Sequence, residues 1–434
     1  MELALDLHLH SPYARAVSKR MTLEEIAAWA LRKGVDVVGT GDFTHPLWFS
    51  QLKRELCPKE KGLFSLKKKG YSSVRFLLST EISCVYQQDG RGRRIHLLVF
   101  VPSFQTLEEV NRFLAKEGVN LSSDGRPTVF LSATSLVKNF KFLDENLVVV
   151  PAHIWTPWFS LYGSRSGFTS LEACFGKEAH FIKAVETGLS SDPEMNWPVK
   201  ELFSRQLVSF SDAHSPENIG REMTILKGEK DLLSFSEIMA ALEGRGRGRI
   251  ASTIEFYPQE GKYHYTGHRR CQISYPPRRI EKTGKICPVC GRSLTVGVAD
   301  QVALRAQKEN KIKKEEDKYG VSWIKSVSYP KRPPFIRLVP LMEILSEVLS
   351  VGVKAQKVKN EYIKLTSVLG SEREILTKRK TEEISKVGGE KLAQAIIRVR
   401  KGEVFVNPGF DGQFGQVKIF SRSFSRSISQ EALF

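Results

Sequence analysis

The chain lacks any run of eighteen apolar residues, and its start lacks the charged-then-apolar pattern of a secretory signal. A helical membrane span is therefore not expected, and the expected location is the cytoplasm, beside the nucleoid if the source is a prokaryote. Cysteine is scarce, six in 434 residues, and Cys57, Cys84 and Cys174 are scattered, which argues against a disulfide framework. Acidic residues are the minority, 48 against 66 Lys and Arg, for a net charge of +18. That imbalance favours a polyanionic partner, because lysine and arginine contacts to phosphates release counterions. The length suits two or three domains with real cores.

Against these absences stands a repeated pattern. Seven short apolar runs each end in a residue able to bind a metal: Leu5 to His10, Val35 to Asp42, Phe76 to Glu81, Ile95 to His96, Leu147 to His153, Phe181 to Glu186, and Leu207 to His214. His8 and His10 lie two apart on a strand, so both project from one face and can grip one ion, and Asp212 and His214 repeat that geometry. Imidazoles and carboxylates at strand ends can converge above a barrel, where zinc or manganese would find nitrogen and oxygen ligands.

The segments between the runs read as helices. Thr22-Leu23-Glu24-Glu25 predicts a capping box and Gly34 a helix end, with similar patterns over Leu107 to Glu117 and Ser234 to Glu243. Alternating strands and helices predict an α/β architecture with a mainly parallel sheet and a catalytic face at the strand C-termini.

The basic, glycine-rich stretch Gly244 to Arg249 closes this region, and the catalytic domain is placed at residues 1–258. Residues 259–330 carry Cys271, Cys287 and Cys290 with His268, a set suited to a structural zinc, with His264 as the alternative fourth ligand. A redox Cys-x-x-Cys is the weaker reading, because no thioredoxin-like strand and helix surround it. Lys308 to Lys318 reads as a solvated helix or loop. Residues 331–420 read as a helical, DNA-binding domain, in which Glu383 to Ala393 resembles a helix-hairpin-helix with a Gly-Gly loop offering amides to a phosphate. Residues 421–434 read as a frayed tail.

His8-Leu9-His10, Thr40-Gly41-Asp42, Glu81, His96, His153 and Asp212-Ala213-His214 resemble the polymerase-and-histidinol-phosphatase (PHP) superfamily of metal-dependent phosphoesterases. This resemblance covers residues 1 to about 250 and implies a distorted seven-stranded barrel. Gly39 to Pro46, Pro151 to Phe159, Gly261 to Tyr265 with His268 and Cys271, and Pro408 to Gly412 are more narrowly similar to the endonuclease Q family, which adds a zinc module and a helical region. That likeness implies a DNA-repair endonuclease that nicks on the 5′ side of hypoxanthine, uracil, xanthine and abasic sites.

The resemblance further implies that His8, His10, Glu81 and Asp212 hold one ion, with Glu81 bridging to a second held by His96 and His153. His214, with Asp42 or His45, would serve a weaker third position or support the others, and Asp42 and His214 are the candidates to orient water or protonate the leaving oxygen. The chain departs from the superfamily at Gly41-Asp42-Phe43, where Thr-Asp-His is usual, and lacks a histidine between Pro12 and Arg20. Two active-site Zn2+ ions are therefore expected, replaceable by Mn2+ or Mg2+ for activity, beside one structural Zn2+. A lesion-specific nuclease must also hold a modified base out of the stack, for which Trp155, Trp158, Phe159, Tyr162 and Phe168 are the candidates. The expected partners are DNA with deaminated or abasic sites and, at most, a sliding clamp, for which the C-terminus offers no defensible motif. A small-molecule phosphoesterase would share the metal set, and a PHP domain stripped of metals would only bind nucleic acid. Basic charge and the long extension weigh against the first, and the intact ligand set against the second.

Overall fold

The computed structural model describes residues 2–228, 233–307 and 310–420. The expected tail at 421–434 lies outside the described residues. Strand β1 (Glu2–Asp6) pairs in parallel with β2 (Val37–Gly39), and β2 with β3 (Arg75–Leu77). One residue later β4 (Ser79–Gln88) begins, forming a long antiparallel hairpin with β5 (Arg91–Phe100), which pairs with β6 (Val148–Pro151). The amide of Ile154 donates to Glu186 O at 3.1 Å, linking β6 to β7 (Ala184–Glu186), which runs parallel to β8 (Gln206–Val208). Beyond β8, Ala213 bridges in parallel to Leu9 beyond β1, so the path returns to where it began.

β1 is also paired on its other side. β9 (Met223–Lys227) runs antiparallel to it and β10 (Arg249–Glu255) antiparallel to β9, and the sheet continues through Phe335–Arg337, Ser322–Ser326 and Ile312–Glu316. The result is a mixed ten-stranded sheet beside a separate four-stranded sheet that holds β4, β5 and β6, not the mainly parallel sheet expected, because pairs such as β4–β5 and β9–β10 run antiparallel. The charge run is thus a strand over Ile312–Glu316 rather than a solvated helix or loop. Its lysines sit on the sheet's outermost strand, where charge discourages further pairing. The strands between residues 312 and 337 thus extend the sheet that contains β1.

Helix α1 (Leu23–Lys33) shows how local sequence sets an element. Thr22 accepts from the Glu25 amide at 3.3 Å, and Gly34, at φ 79°, donates back to Ala30 O and Leu31 O. The reciprocal half of the box is absent, because the Glu25 carboxylate pairs with Arg20 at 3.0 Å. Ile26, Ala27 and Ala30 bury one face in the core. The helix expected from Leu107 begins at Phe104 and is capped by Ser103, while the later one, Phe235–Leu242, is capped by Ser234.

Residues 341–401 form five helices, Leu341–Leu349, Gln356–Leu369, Glu372–Thr377, Thr381–Gly388 and Glu390–Lys401. The last two meet at Gly389, whose φ of 85° only glycine adopts cheaply. This region is joined to helix α1 by a buried ion pair, Lys33 to Glu372 at 2.7 Å, and by Trp29 stacked on Tyr362 at 5.4 Å. Among the described residues no helix is long and apolar enough to cross a membrane.

Candidate active site

Residues at or just beyond the C-terminal ends of β1, β2, β7 and β8, with Glu81 near the start of β4, bring their polar side chains into one buried cluster. His8 Nε2 lies 3.6 Å from Glu81 Oε1 and 3.4 Å from Asp212 Oδ1. His10 Nε2 lies 3.4 Å from Glu81 Oε2 and 3.2 Å from the same Asp212 oxygen. From β5 and the end of β6, His96 Nδ1 and His153 Nε2 approach Glu81 Oε1 at 2.8 and 3.1 Å. The ligand atoms of His8, His10 and Glu81 lie within 4.8 Å of one another, as do those of Glu81, His96 and His153, and those of His10, Asp212 and His214. Glu81 is common to the first two groups.

His8 Nε2, His10 Nε2 and Asp212 Oδ1 are buried atoms with no hydrogen-bond partner. Leaving such atoms unsatisfied costs about 1–3 kcal/mol each, so the donor set fits divalent cations better than it fits itself. Burial would raise Glu81 and Asp212, but for Glu81 the neighbours His96, Arg126 and His8, and for Asp212 His8, His214 and His10, hold each well below the usual carboxylate range. Burial pushes His96 down to about 4 despite Glu81, keeping its ring neutral as a ligand requires.

Behind the cluster stands a second layer of acids. Glu186 Oε1 lies 2.9 Å from His8 Nδ1, and its other oxygen accepts from the His153 amide at 2.7 Å. Asp42 Oδ1 lies 3.0 Å from His10 Nδ1, and its other oxygen accepts from the Ser11 amide. Each carboxylate fixes its histidine's tautomer with the proton on Nδ1 and leaves Nε2 facing the cluster. Asp42 is fully buried with both oxygens engaged, so it stands behind His10 instead of reaching the centre as a catalytic group would. His45 stays apart from the three groups; it precedes the helix Pro46–Glu55 and its ring stacks on Tyr13 at 4.5 Å. Asp42, His153 and Asp212 all adopt positive φ, 46°, 29° and 48°, strain that the surrounding bonds sustain.

Two residues of the site were not among the sequence candidates. Glu186 ended one of the apolar runs, a signal that was present but not carried into the ligand set. Arg126 gave no signal; it comes from a loop after the helix Phe104–Lys116 and donates to Glu81 Oε2 at 3.0 Å.

Of the five aromatics expected to line a base pocket, Trp155, Tyr162 and Phe168 are core residues. Trp155 Nε1 donates to Asn196 and the Tyr162 hydroxyl to Glu201, so both rings anchor the loop after His153 from beneath. Phe159 is half-buried, its ring 4.7 Å from His96, and Trp158 is exposed. An aromatic-rich loop must bury most of its rings to hold its shape, which is why composition overstated the pocket.

In the zinc-suited region the four ligand atoms of His268, Cys271, Cys287 and Cys290 lie within 4.8 Å of one another. His268 closes a short hairpin, Thr266–His268 with Ile273–Tyr275, and the Cys287 carbonyl accepts from the Gly291 amide at 2.9 Å in the knuckle turn. Burial works against ionising Cys287, yet the amides of Val289 and Cys290 and the nearby His268 bring it down to about 6. His264 is buried away from this group.

Residues 340–403 match the family model described as the MJ0043 C-terminal domain. The uncharacterized protein MJ0043 of Methanocaldococcus jannaschii is 31% identical over 271 residues, 61% of this chain but only 31% of that protein, so the chain spans about a third of that relative's length. The uncharacterized protein YqxK of Bacillus subtilis is 29% identical over 95% of this chain and 98% of its own. Among solved structures, the lesion-specific endonuclease PfuEndoQ of Pyrococcus furiosus superposes with a TM-score of 0.81 at 32% identity, covering 96% of both chains. Endonuclease Q in complex with a 27-mer duplex bearing an abasic lesion superposes with the same score and identity, over 96% of this chain and 97% of that one.

The match to a lesion-specific endonuclease over 96% of both chains, with a buried histidine–carboxylate cluster in place, marks the chain as a metal-dependent nuclease. Within that class, the chain belongs to the endonuclease Q family.

Proposed function

We propose that this protein is a DNA-repair endonuclease that nicks DNA on the 5′ side of deaminated bases and abasic sites. The observation that carries the reading is the set of orphaned, converging atoms on His8, His10 and Asp212 beside Glu81, in a chain similar over nearly its whole length to a lesion-specific endonuclease. The pairings that lead from β1 round to Ala213 support a distorted seven-stranded PHP barrel.

His8, His10, Glu81 and Asp212 would hold one divalent ion, and Glu81, His96 and His153 a second, with Zn2+, Mn2+ or Mg2+ as candidates. Bound there, such ions neutralise phosphate charge and acidify water. The protein's own share is positioning. Glu186 and Asp42 fix the rings of His8 and His10, while Arg126 holds Glu81 and adds a positive charge at the cluster's rim. The His214 Nδ1 proton is donated to Asp212 O at 2.8 Å, leaving Nε2 as the basic atom for a ligand or proton-transfer role. Hydrolysis adds water across the bond between phosphorus and the 3′ oxygen, leaving a free 3′-hydroxyl and a 5′-phosphate. His268, Cys271, Cys287 and Cys290 would hold a structural Zn2+, and basic residues of the helical region would grip flanking phosphates.

The test is nicking of end-labelled duplexes containing deoxyuridine, deoxyinosine, an abasic site or only normal bases, with each metal added in turn and Asp212→Ala as control. Cleavage immediately 5′ of the lesion that vanishes in the variant is expected. No nicking, with turnover of a small phosphate monoester instead, would replace this reading by a small-molecule phosphoesterase.

A further inference from the structure

Asp212 carries the oxygen that faces both His8 and His10, yet its backbone sits at φ 48°, a conformation that costs a residue other than glycine free energy. Its two flanking residues are pinned to hold it there. On the C-terminal side the Ala213 amide donates to His8 O at 3.3 Å, and Ala213 O accepts from the His10 amide at 3.2 Å. On the N-terminal side the Ser211 amide donates to Asp6 Oδ1 at 3.0 Å, and Ser211 O accepts from Arg221 Nε at 3.0 Å. Three of these four bonds lead to β1 and the residues just after it. The fourth depends on one side chain, Arg221.

Arg221 is half-buried, and burial works against its charge, while the carboxylates of Asp212, Glu222, Glu343 and Asp6 favour it. Of these four, Glu343 belongs to the helical C-terminal region, on its first helix. The chain leading into that helix packs against Arg221. A cavity of about 20 Å³, room for about one water, has Gly220, Arg221, Val339, Pro340 and Glu372 among its walls. Burial pushes the Glu343 carboxyl up to about 7, against the pull of Arg221 and Lys33. A guanidinium suits a place between two modules, because its planar fork presents donors in several directions and keeps its charge when partly buried.

We propose that Arg221 is a positioning residue through which the helical C-terminal region sets the metal cluster: Nε holds the peptide that enters Asp212, and the guanidinium charge answers to Glu343. The inference rests on the metal-binding reading of that cluster. A shift of the first C-terminal helix thereby reaches Asp212, and by linkage metal binding acts back on the helix by the same factor. The metal site is then complete only when the helical region is seated.

Full-length wild type, Arg221→Ala, Glu343→Gln and the double variant are titrated calorimetrically with Mn2+, which a cysteine-rich group disfavours. The pH is 8, above the value to which Glu343 is raised. Arg221→Ala is expected to bind Mn2+ about 10- to 100-fold more weakly, and Glu343→Gln about 5-fold or more. The double variant is expected to lose no more than Arg221→Ala alone, because both changes act through one link. Hydrogen exchange across residues 209–214 of the metal-free protein should be faster in Arg221→Ala than in the wild type, with other segments unchanged. Trp29→Leu, which weakens the junction with the helical region away from Arg221, should keep wild-type Mn2+ affinity. Unchanged affinity in Glu343→Gln overturns the coupling, even where Arg221→Ala does not fold. Equal loss in Trp29→Leu, additive losses in the double variant, or unchanged exchange at residues 209–214 would each do the same. A wild type that binds no Mn2+ would instead sink the metal reading, with the hold on Asp212 still judged by exchange.

Discussion

Glu186 illustrates how much of the site's chemistry lies one layer behind the metal-facing atoms. Its two oxygens serve two members of the cluster at once, His8 through Nδ1 and His153 through its amide. Glu186→Gln keeps the shape but loses the charge and offers an amide nitrogen where an acceptor is needed. Metal affinity is expected to fall about 10- to 100-fold, read by calorimetric titration of the metal-stripped protein. Asp212→Ala is expected to abolish nicking at every metal concentration, since its Oδ1 faces both His8 and His10. Activity recovered by excess Mn2+ in the Asp212 variant but not in the Glu186 variant would reverse these assignments.

At the scale of single elements, the knuckle and one buried strand each carry a testable consequence. Cys287→Ser removes the thiol that the turn amides favour as a thiolate. The variant is expected to bind one Zn2+ fewer per chain and to melt at lower temperature, measured by metal analysis and calorimetry, because ligation energy is folding energy in such modules. On β10, burial and nearby Asp192 push the Glu255 carboxyl from 4.5 to about 8, although bonds from Ser209 and Thr253 oppose the shift. A carboxyl raised in the fold prefers its proton there. Its contribution is therefore complete below about pH 4.5 and is lost as pH rises through about 8. Melting temperatures across that window should fall less steeply for Glu255→Gln than for the wild type, and parallel curves would mean the group is not the source of the slope.

Across the whole molecule, the helical C-terminal region is tied to helix α1 by charges taken out of water. Lys33 of α1 and Glu372 of the third C-terminal helix are both buried and lie 2.7 Å apart. Breaking a buried pair from one side strands the other charge, so Glu372→Ala is expected to destabilise by about 3–5 kcal/mol in denaturant melts. Replacing both partners, Lys33→Met with Glu372→Leu, should recover most of that loss. Equal destabilisation by the single and double changes would show that Glu372 matters for accepting the Leu341 amide, at 3.0 Å, and not for the charge.

The sequence by itself determined which residues could serve as metal ligands, though not Glu186 or Arg126 behind them, because ligand chemistry is local: a His-x-His or Asp-x-His on a strand, or a Cys-x-x-Cys-Gly turn, has its geometry set by the strand repeat and the turn. It also determined the alternation of strands and helices, through caps such as Thr22 and breaks such as Gly34. Only the tertiary structure decided which polar residues meet. Arg126 reaches Glu81 from a loop without a pattern, Asp42 turns away to hold His10, and His45 stacks on Tyr13, outcomes set by contacts across long sequence separations. The same holds for Trp155, Tyr162 and Trp158, which share one short loop yet divide between core and surface. Residue type fixes what an aromatic ring can do, but whether it faces protein or solvent depends on which partners fill the space around it, and those come from elsewhere in the chain.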